Sequence, residues 1–234
     1  MGIYTSRHPI ARLGLFNRLF LGFVRLYCRL GVEGLEHVPR GGGFILVANH
    51  SSHVDTAVIF AALPASMHRR VAAAAAQDYF FDDGLRQCVS RILFNVIPVP
   101  RNVVSGKDPL RHVVRAIREG YGVLLFPEGT RNRSGELGPF QSGIGRLAAE
   151  FPDAPIVPVW IEGTARVLPK NALVPRPARV HVRFGPPVEH TPAGLGRSER
   201  RTTWRLVANE VRDAVAQLSP RAAAGAVHVG DERE

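Results

Sequence analysis

GFILVANHSSHVDT, residues 43–56, changes character within a few positions. GFILVAN is a short apolar run, which predicts a strand. The polar HSSHVD follows at once, and residues 54–63 then read as a helix. The same succession recurs along the chain. VAAAAA (71–76) predicts a buried strand, 83–93 a helix, and FNVIPVP (94–100) a strand limited by its prolines. Asp108-Pro109 opens another helix, a capping residue followed by proline in the first turn. Its apolar stripe is Leu110, Val113, Val114 and Ile117, and Gly120 ends it. GVLLF (122–126) reads as a strand, 140–150 as a helix, and IVPVWI (156–161) and RVHVRF (179–184) as strands. A last helix over about 199–218 puts Trp204, Val207, Ala208, Val211, Val215 and Leu218 on one face. Strands alternating with helices predict an α/β fold, a mostly parallel sheet flanked by helices. Ligands of such folds gather at the carboxyl ends of the strands. Residues that directly follow strands are therefore the ones to read for chemistry.

Upstream, residues 8–30 are apolar but broken by Arg12, Arg18, Arg25 and Arg29. No stretch approaches the ~20 apolar residues that a spanning helix needs. On a helical wheel Leu13, Phe16, Phe20, Phe23, Tyr27 and Leu30 share one face, opposite Arg18, Arg25 and Arg29. This pattern suits a helix lying in the headgroup plane of a membrane, with Phe16, Phe20 and Phe23 in the apolar layer and Arg18 and Arg25 among phosphates. It also suits an ordinary amphipathic helix packed on the domain. Three segments follow: an amphipathic arm over 1–35, one domain over 36–218, and a disordered Ala/Gly/charge-rich tail over 219–234.

The 234 residues are 45% hydrophobic, enough for one substantial core. The net charge is +10, and all but two of the 30 basic residues are arginine. Arginine grips phosphate through two parallel hydrogen bonds, so the chain should be drawn to polyanions. Nucleic acid would call for aromatic stacking platforms among the basic residues. The aromatic residues of the arm lie on the face away from its arginines, and an anionic membrane is the expected partner instead. Cys28 and Cys88 form no metal-spaced pair, and no apolar run precedes a small-residue cleavage site. A reducing compartment follows, with the protein peripheral or monotopic on the cytoplasmic face of a membrane.

Three constellations follow strands. In NHSSHVDT (49–56), His50 and Asp55 stand five positions apart. With His50 in the loop and Asp55 in the first helical turn, the carboxylate can bend back and hold the imidazole as a general base. One such spacing arises by chance roughly a third of the time in a chain of this composition. His53 is a rival partner, and a simple capping role for Asp55 is the plain alternative. In LLFPEGTRNRSG (124–135), Gly129 lets backbone approach a ligand, Thr130 offers a hydroxyl, and Arg131 and Arg133 offer forks, together a phosphate cradle. Glu128 is the odd member; it can hold an arginine or accept from a glycerol hydroxyl. The third is Arg101, after the strand that ends at NVIPVPR.

In this order the motifs resemble the glycerolipid acyltransferase family, which includes 1-acylglycerol-3-phosphate acyltransferases. The resemblance covers about 36–215, and NHSSHVD together with FPEGTR carries its specificity. It implies the glycerolipid acyltransferase fold, with His50 as base and Asp55 as its partner. It implies that Arg101, Glu128, Gly129, Thr130 and Arg131 bind the phosphate or glycerol of the acceptor. It further implies a lysophospholipid acceptor and an acyl-CoA or acyl carrier protein donor, with no other cofactor and no metal. IVPVWIEG (156–163) matches a fourth block of the family, Pro158 included. Two positions depart from the pattern: Gln77 and Gln141 stand where many members carry lysine. An acceptor other than lysophosphatidate, such as another lysolipid, a glycolipid or an amino lipid, gains weight from these losses.

Overall fold

A computed structural model describes residues 10–76, 94–100, 108–132, 136–169, 174–189, 199–220 and 222. The expected helix at 83–93, Arg101, and nearly all of the tail lie outside them. The described helices and strands follow in this order: α1 (Ile10–Tyr27), β1 (Gly31–Glu33), β2 (Phe44–Ala48), α2 (Asp55–Ala62), β3 (Val71–Ala76), β4 (Ile97–Val99), α3 (Arg111–Arg118), β5 (Gly122–Leu125), α4 (Gly143–Glu150), β6 (Ile156–Glu162), α5 (Thr164–Val167), β7 (His181–Phe184) and α6 (Glu199–Gln217), with a 3-10 turn at Leu35–His37. The seven strands form one sheet in the order β1-β7-β6-β2-β5-β3-β4.

All strands pair in parallel except β6 with β7. That reversal, and the three-residue β1 beside it, are not visible in the sequence pattern. Residues 31–33, the end of the segment drawn as the arm, pair with β7 in the sheet.

β2 sits at the centre, between β5 and β6, and all five of its residues are buried. Its alternation divides the core. Phe44, Leu46 and Ala48 face a cluster shared with Leu21 of α1 and Val58, Ile59 and Phe60 of α2. Ile45 and Val47 face a cluster built with Val113 and Ile117 of α3, Leu147 of α4 and Val211 of α6. Each fully buried aliphatic side chain contributes about 1.5–3 kcal/mol. A strand buried on both faces therefore holds its register firmly. Pro158 fits in β6 because its side of the strand faces the end of β7, where its carbonyl accepts from the Gly185 N–H and no ladder bond needs its nitrogen.

Local chemistry sets the helix ends. The Asp108 carboxylate accepts from the Leu110 N–H at 3.0 Å, so the capping residue works from the turn before α3. Gly120, at φ 82°, closes α3, with Gly120 N–H on the Ile117 carbonyl and Tyr121 N–H on the Ala116 carbonyl. The same pair of bonds ends α1, with Arg29 in the left-handed conformation at φ 41°. There the chain turns from helix straight into β1.

α1 packs along α2 through Phe20, Leu21, Val24 and Tyr27. Leu15, Phe16, Leu19, Phe23 and Leu26 are left facing solvent, from 57% exposed at Phe16 to 79% at Leu26. Phe20 therefore departs from the expectation that grouped it with Phe16 and Phe23. The helix carries two apolar stripes, and Phe20 is in the one that α2 covers. Among the described residues no helix is long and apolar enough to cross a membrane.

Candidate active site

Val47 of β2 lies opposite Leu125 of β5, and both strands end there or one residue later. His50 and Glu128 are each three residues past that rung. Two parallel strands thus deliver the two principal motifs side by side, at the carboxyl edge of the sheet.

The loop carrying His50 is fastened on several sides. Asn49 is buried and extends the β2–β6 ladder with its side chain: Nδ2 donates to the Ile161 carbonyl at 2.9 Å and Oδ1 accepts from the Ile161 N–H at 2.7 Å. The His50 N–H donates to Glu128 Oε1 at 2.9 Å, and the His50 carbonyl accepts from the Asn132 N–H at 2.8 Å. The Ser51 and Thr164 hydroxyls share a hydrogen bond of 2.9 Å.

Asp55 is the first residue of α2 and is wholly buried. Its Oδ2 accepts three N–H groups: Ser51 N at 2.7 Å, Ser52 N at 2.8 Å and His50 Nδ1 at 2.8 Å. The carboxylate bends back over the preceding turn instead of capping the helix that follows. The partial positive charge of the helix N-terminus favours an anion there as well. Because the carboxylate only accepts, the proton sits on Nδ1 and Nε2 keeps its lone pair. The Phe126 ring stacks on the imidazole at 4.2 Å, tilted by 23°. The ring is thus held at one edge and one face, with the side chain still 22% exposed. This arrangement can take a proton from a hydroxyl presented to Nε2.

His53, the rival partner, is turned elsewhere: its Nε2 accepts from Arg131 Nη1. That contact and the Asn132 bond tie the 129–132 turn to the His50 loop. Gly129 is exposed with φ 71°, Thr130 is exposed, and Arg131 is half-buried. Glu128 differs from expectation. Its carboxylate is nearly buried, and its two oxygens accept from backbone, His50 N and Gly138 N, the latter at 3.0 Å. It joins two loops from within, and among the described residues no arginine is bonded to it. Arg101 itself is not described. The strand before it, β4, runs parallel to β3 and β5, so the chain leaves β4 at Val99 toward the same edge of the sheet.

Sequence reading missed the residues behind this first layer. Phe126 adjoins the PEGTR motif, and Asn49 opens the other; both were within reach of a local argument. Arg212 of α6 was not. Its guanidinium donates to the carbonyls of Gly138 at 3.1 Å and Leu137 at 3.0 Å, fixing the loop whose N–H holds Glu128.

Several known proteins are similar to this chain. A chloroplastic 1-acyl-sn-glycerol-3-phosphate acyltransferase from Brassica napus is 29% identical over 148 residues, 62% of this chain and 41% of that protein. Tafazzin from Drosophila melanogaster is 25% identical over 229 residues, 92% of this chain and 60% of that one. The chain thus spans about two-fifths to three-fifths of the length of these curated relatives. The crystal structure of the 1-acyl-sn-glycerophosphate (LPA) acyltransferase PlsC from Thermotoga maritima superposes with a TM-score of 0.62 at 25% identity, covering 91% of this chain and 80% of that one. Residues 29–162, more than half of the chain and both loops of the site, match the family model described as Acyltransferase, and the protein belongs to that family.

Proposed function

We propose that the protein transfers a fatty acyl group from acyl-CoA or acyl carrier protein to a hydroxyl of a lysophospholipid at a membrane surface. 1-Acylglycerol-3-phosphate is the first candidate acceptor, and phosphatidic acid the product. The observation that carries this reading is the His50–Asp55 contact of 2.8 Å, with Nε2 left as acceptor beside the turn that bears Arg131.

The acceptor hydroxyl hydrogen-bonds to His50 Nε2 and attacks the thioester carbonyl carbon. The new C–O bond forms as the proton passes to Nε2, and Asp55 steadies the imidazolium. Collapse of the tetrahedral adduct breaks the C–S bond. The leaving thiolate takes the proton from His50, and ester and free thiol depart. Arg131, Thr130, the backbone at Gly129, and Arg101 bind the anionic head of the acceptor. Glu128 contributes indirectly, by fixing the backbone of His50. The exposed stripe of α1 lies on the membrane, with Phe16 and Phe23 in the apolar layer and Arg18 and Arg25 at its border. This makes the protein peripheral or monotopic, on the cytoplasmic face.

One observation favours a second acceptor. Gln141, a neutral amide, lies beside Gly129; a Cβ at Gly129 would stand 3.8 Å from its Cγ. Among the described residues the cradle therefore shows a neutral group on that side, which suits a less charged lysolipid, a glycolipid or an amino lipid. A panel of such acceptors with an acyl thioester, followed by thiol release, separates them. His50→Ala is expected to lower turnover by at least ~10²-fold, the usual share of general base catalysis, with vesicle binding unchanged. Near-normal turnover in that variant would overturn the proposal and leave a basic membrane-binding module in its place.

A further inference from the structure

A second basic site lies at the other end of the sheet. A cleft of about 420 Å³ separates the first turns of α1 from the turn after α2 and is lined by Gly14, Leu15, Arg18, Ser66 and Arg69, among others. Among the described residues no carboxylate lines it. Arg18 and Arg69 are exposed, and neither makes an ion pair or hydrogen bond among the described residues. The Arg69 guanidinium reaches across to α1, where Nη2 lies 3.6 Å from the place a Cβ would take on Gly14, an ordinary contact distance. Two guanidinium groups line one cleft with no counter-charge among the described residues, the chemistry that suits an anion.

We infer that this cleft receives the phosphate of an anionic membrane phospholipid that is not the substrate. Two features choose a lipid over a free ion. Leu15 lines the cleft and also begins the exposed apolar stripe that continues through Leu19 to Leu26, so a bound phosphate would have acyl chains running beside that stripe. The cleft is also remote from the reacting groups. Arg69 precedes β3, whose first residue, Val71, is level with Gly122 and Phe44. His50 lies six residues further along, about 20 Å in the strand direction. A headgroup held there fixes how α1 lies on the surface without competing for the active site. The inference rests on the membrane role proposed above and adds to it a residue outside α1.

The full chain is tested by flotation with vesicles of phosphatidylcholine alone and of phosphatidylcholine with an equal part of phosphatidylglycerol. Arg18→Ala/Arg69→Ala is compared with Arg201→Ala/Arg205→Ala, which removes the same charge from the exposed side of α6. The expected result is about tenfold or greater loss of partitioning onto the anionic vesicles for the cleft variant, the scale of two charges at a membrane surface, and a clearly smaller loss for the control. Equal losses would overturn the cleft and leave the membrane role standing. Failure of the unaltered protein to bind either vesicle would overturn both. Binding of inorganic phosphate to the unaltered protein in solution that is lost in the cleft variant, with both proteins partitioning equally onto the anionic vesicles, would assign the cleft to a free anion and overturn the lipid.

Discussion

At the scale of single residues, Asp55 and Glu128 are two buried carboxylates with different tasks. Asp55 gathers three N–H groups on one oxygen and sets the tautomer of His50. Asp55→Asn keeps the size but can turn an NH2 toward those donors. Turnover is expected to fall ~10²–10⁴-fold, the range of a lost general base, in a protein that still folds by circular dichroism. Glu128→Gln leaves one of two backbone N–H groups, His50 or Gly138, without an acceptor. It should cost about 1–3 kcal/mol of stability, the usual penalty for such a group, read from denaturant unfolding. The His50–Asp55 pair was legible because both partners lie within six residues and the strand before them is plain. The orientation of Glu128 was not, because one of its partners is 78 positions away.

At the scale of elements, the sequence names a helix well and its buried side less well. The wheel of α1 groups Phe16, Phe20 and Phe23, yet only packing against α2 decides which of them is covered. Leu19→Ser/Leu26→Ser alters the exposed stripe alone. It should weaken vesicle binding about tenfold or more, since each side chain is worth ~1.5–3 kcal/mol when buried, while the thermal midpoint stays put. Removing residues 1–33 is a poorer probe, because it also strips β1 from the sheet. Arg212 of α6 is a positioning residue, acting through Gly138 and Glu128 on the backbone of His50. Arg212→Ala is expected to lower kcat about tenfold at unchanged KM for the thioester, by the leverage small misplacements have on catalysis, and Arg212→Lys should recover part of it. A fall in thermal midpoint with kcat intact would reduce Arg212 to a structural tie. α3 and α4 are joined by the Arg146 fork on Asp108, at 2.6 and 2.5 Å. That hydrogen bond is the main reason the Asp108 carboxyl titrates below its ordinary value of 3.8. A lowered folded value stabilises the protein above pH 3.8 and loses that contribution as pH falls through it. Asp108→Asn should therefore lower the stability at neutral pH, by no more than about 1 kcal/mol for a pair this exposed. Calorimetry should find the gap closing in strongly acidic buffer.

At the scale of the whole molecule, the α/β class and the central strands were legible because β2, β5 and β6 are continuous apolar runs buried on both faces. β1 was not, since three residues carry no period, and the antiparallel turn into β7 depends on pairing that no local pattern encodes. The net charge of +10 gives the molecule a long-range attraction to anionic surfaces that ions screen within about 10 Å at 0.1 M salt. Partitioning onto anionic vesicles should fall steadily as sodium chloride is raised.

The Asn49, His50, Ser51 and Asn132 bonds have a kinetic consequence. A loop stitched to two strands and two neighbouring turns is expected neither to swing aside to admit a lipid nor to fold down to enclose one. On the proposed mechanism His50 waits in place as the base, and each substrate must come to it. The amide proton of His50, although it lies in a loop, should therefore exchange with deuterated water as slowly as those of β2. An amide that exchanged as fast as an exposed turn would mean that the loop opens during the protein's ordinary life.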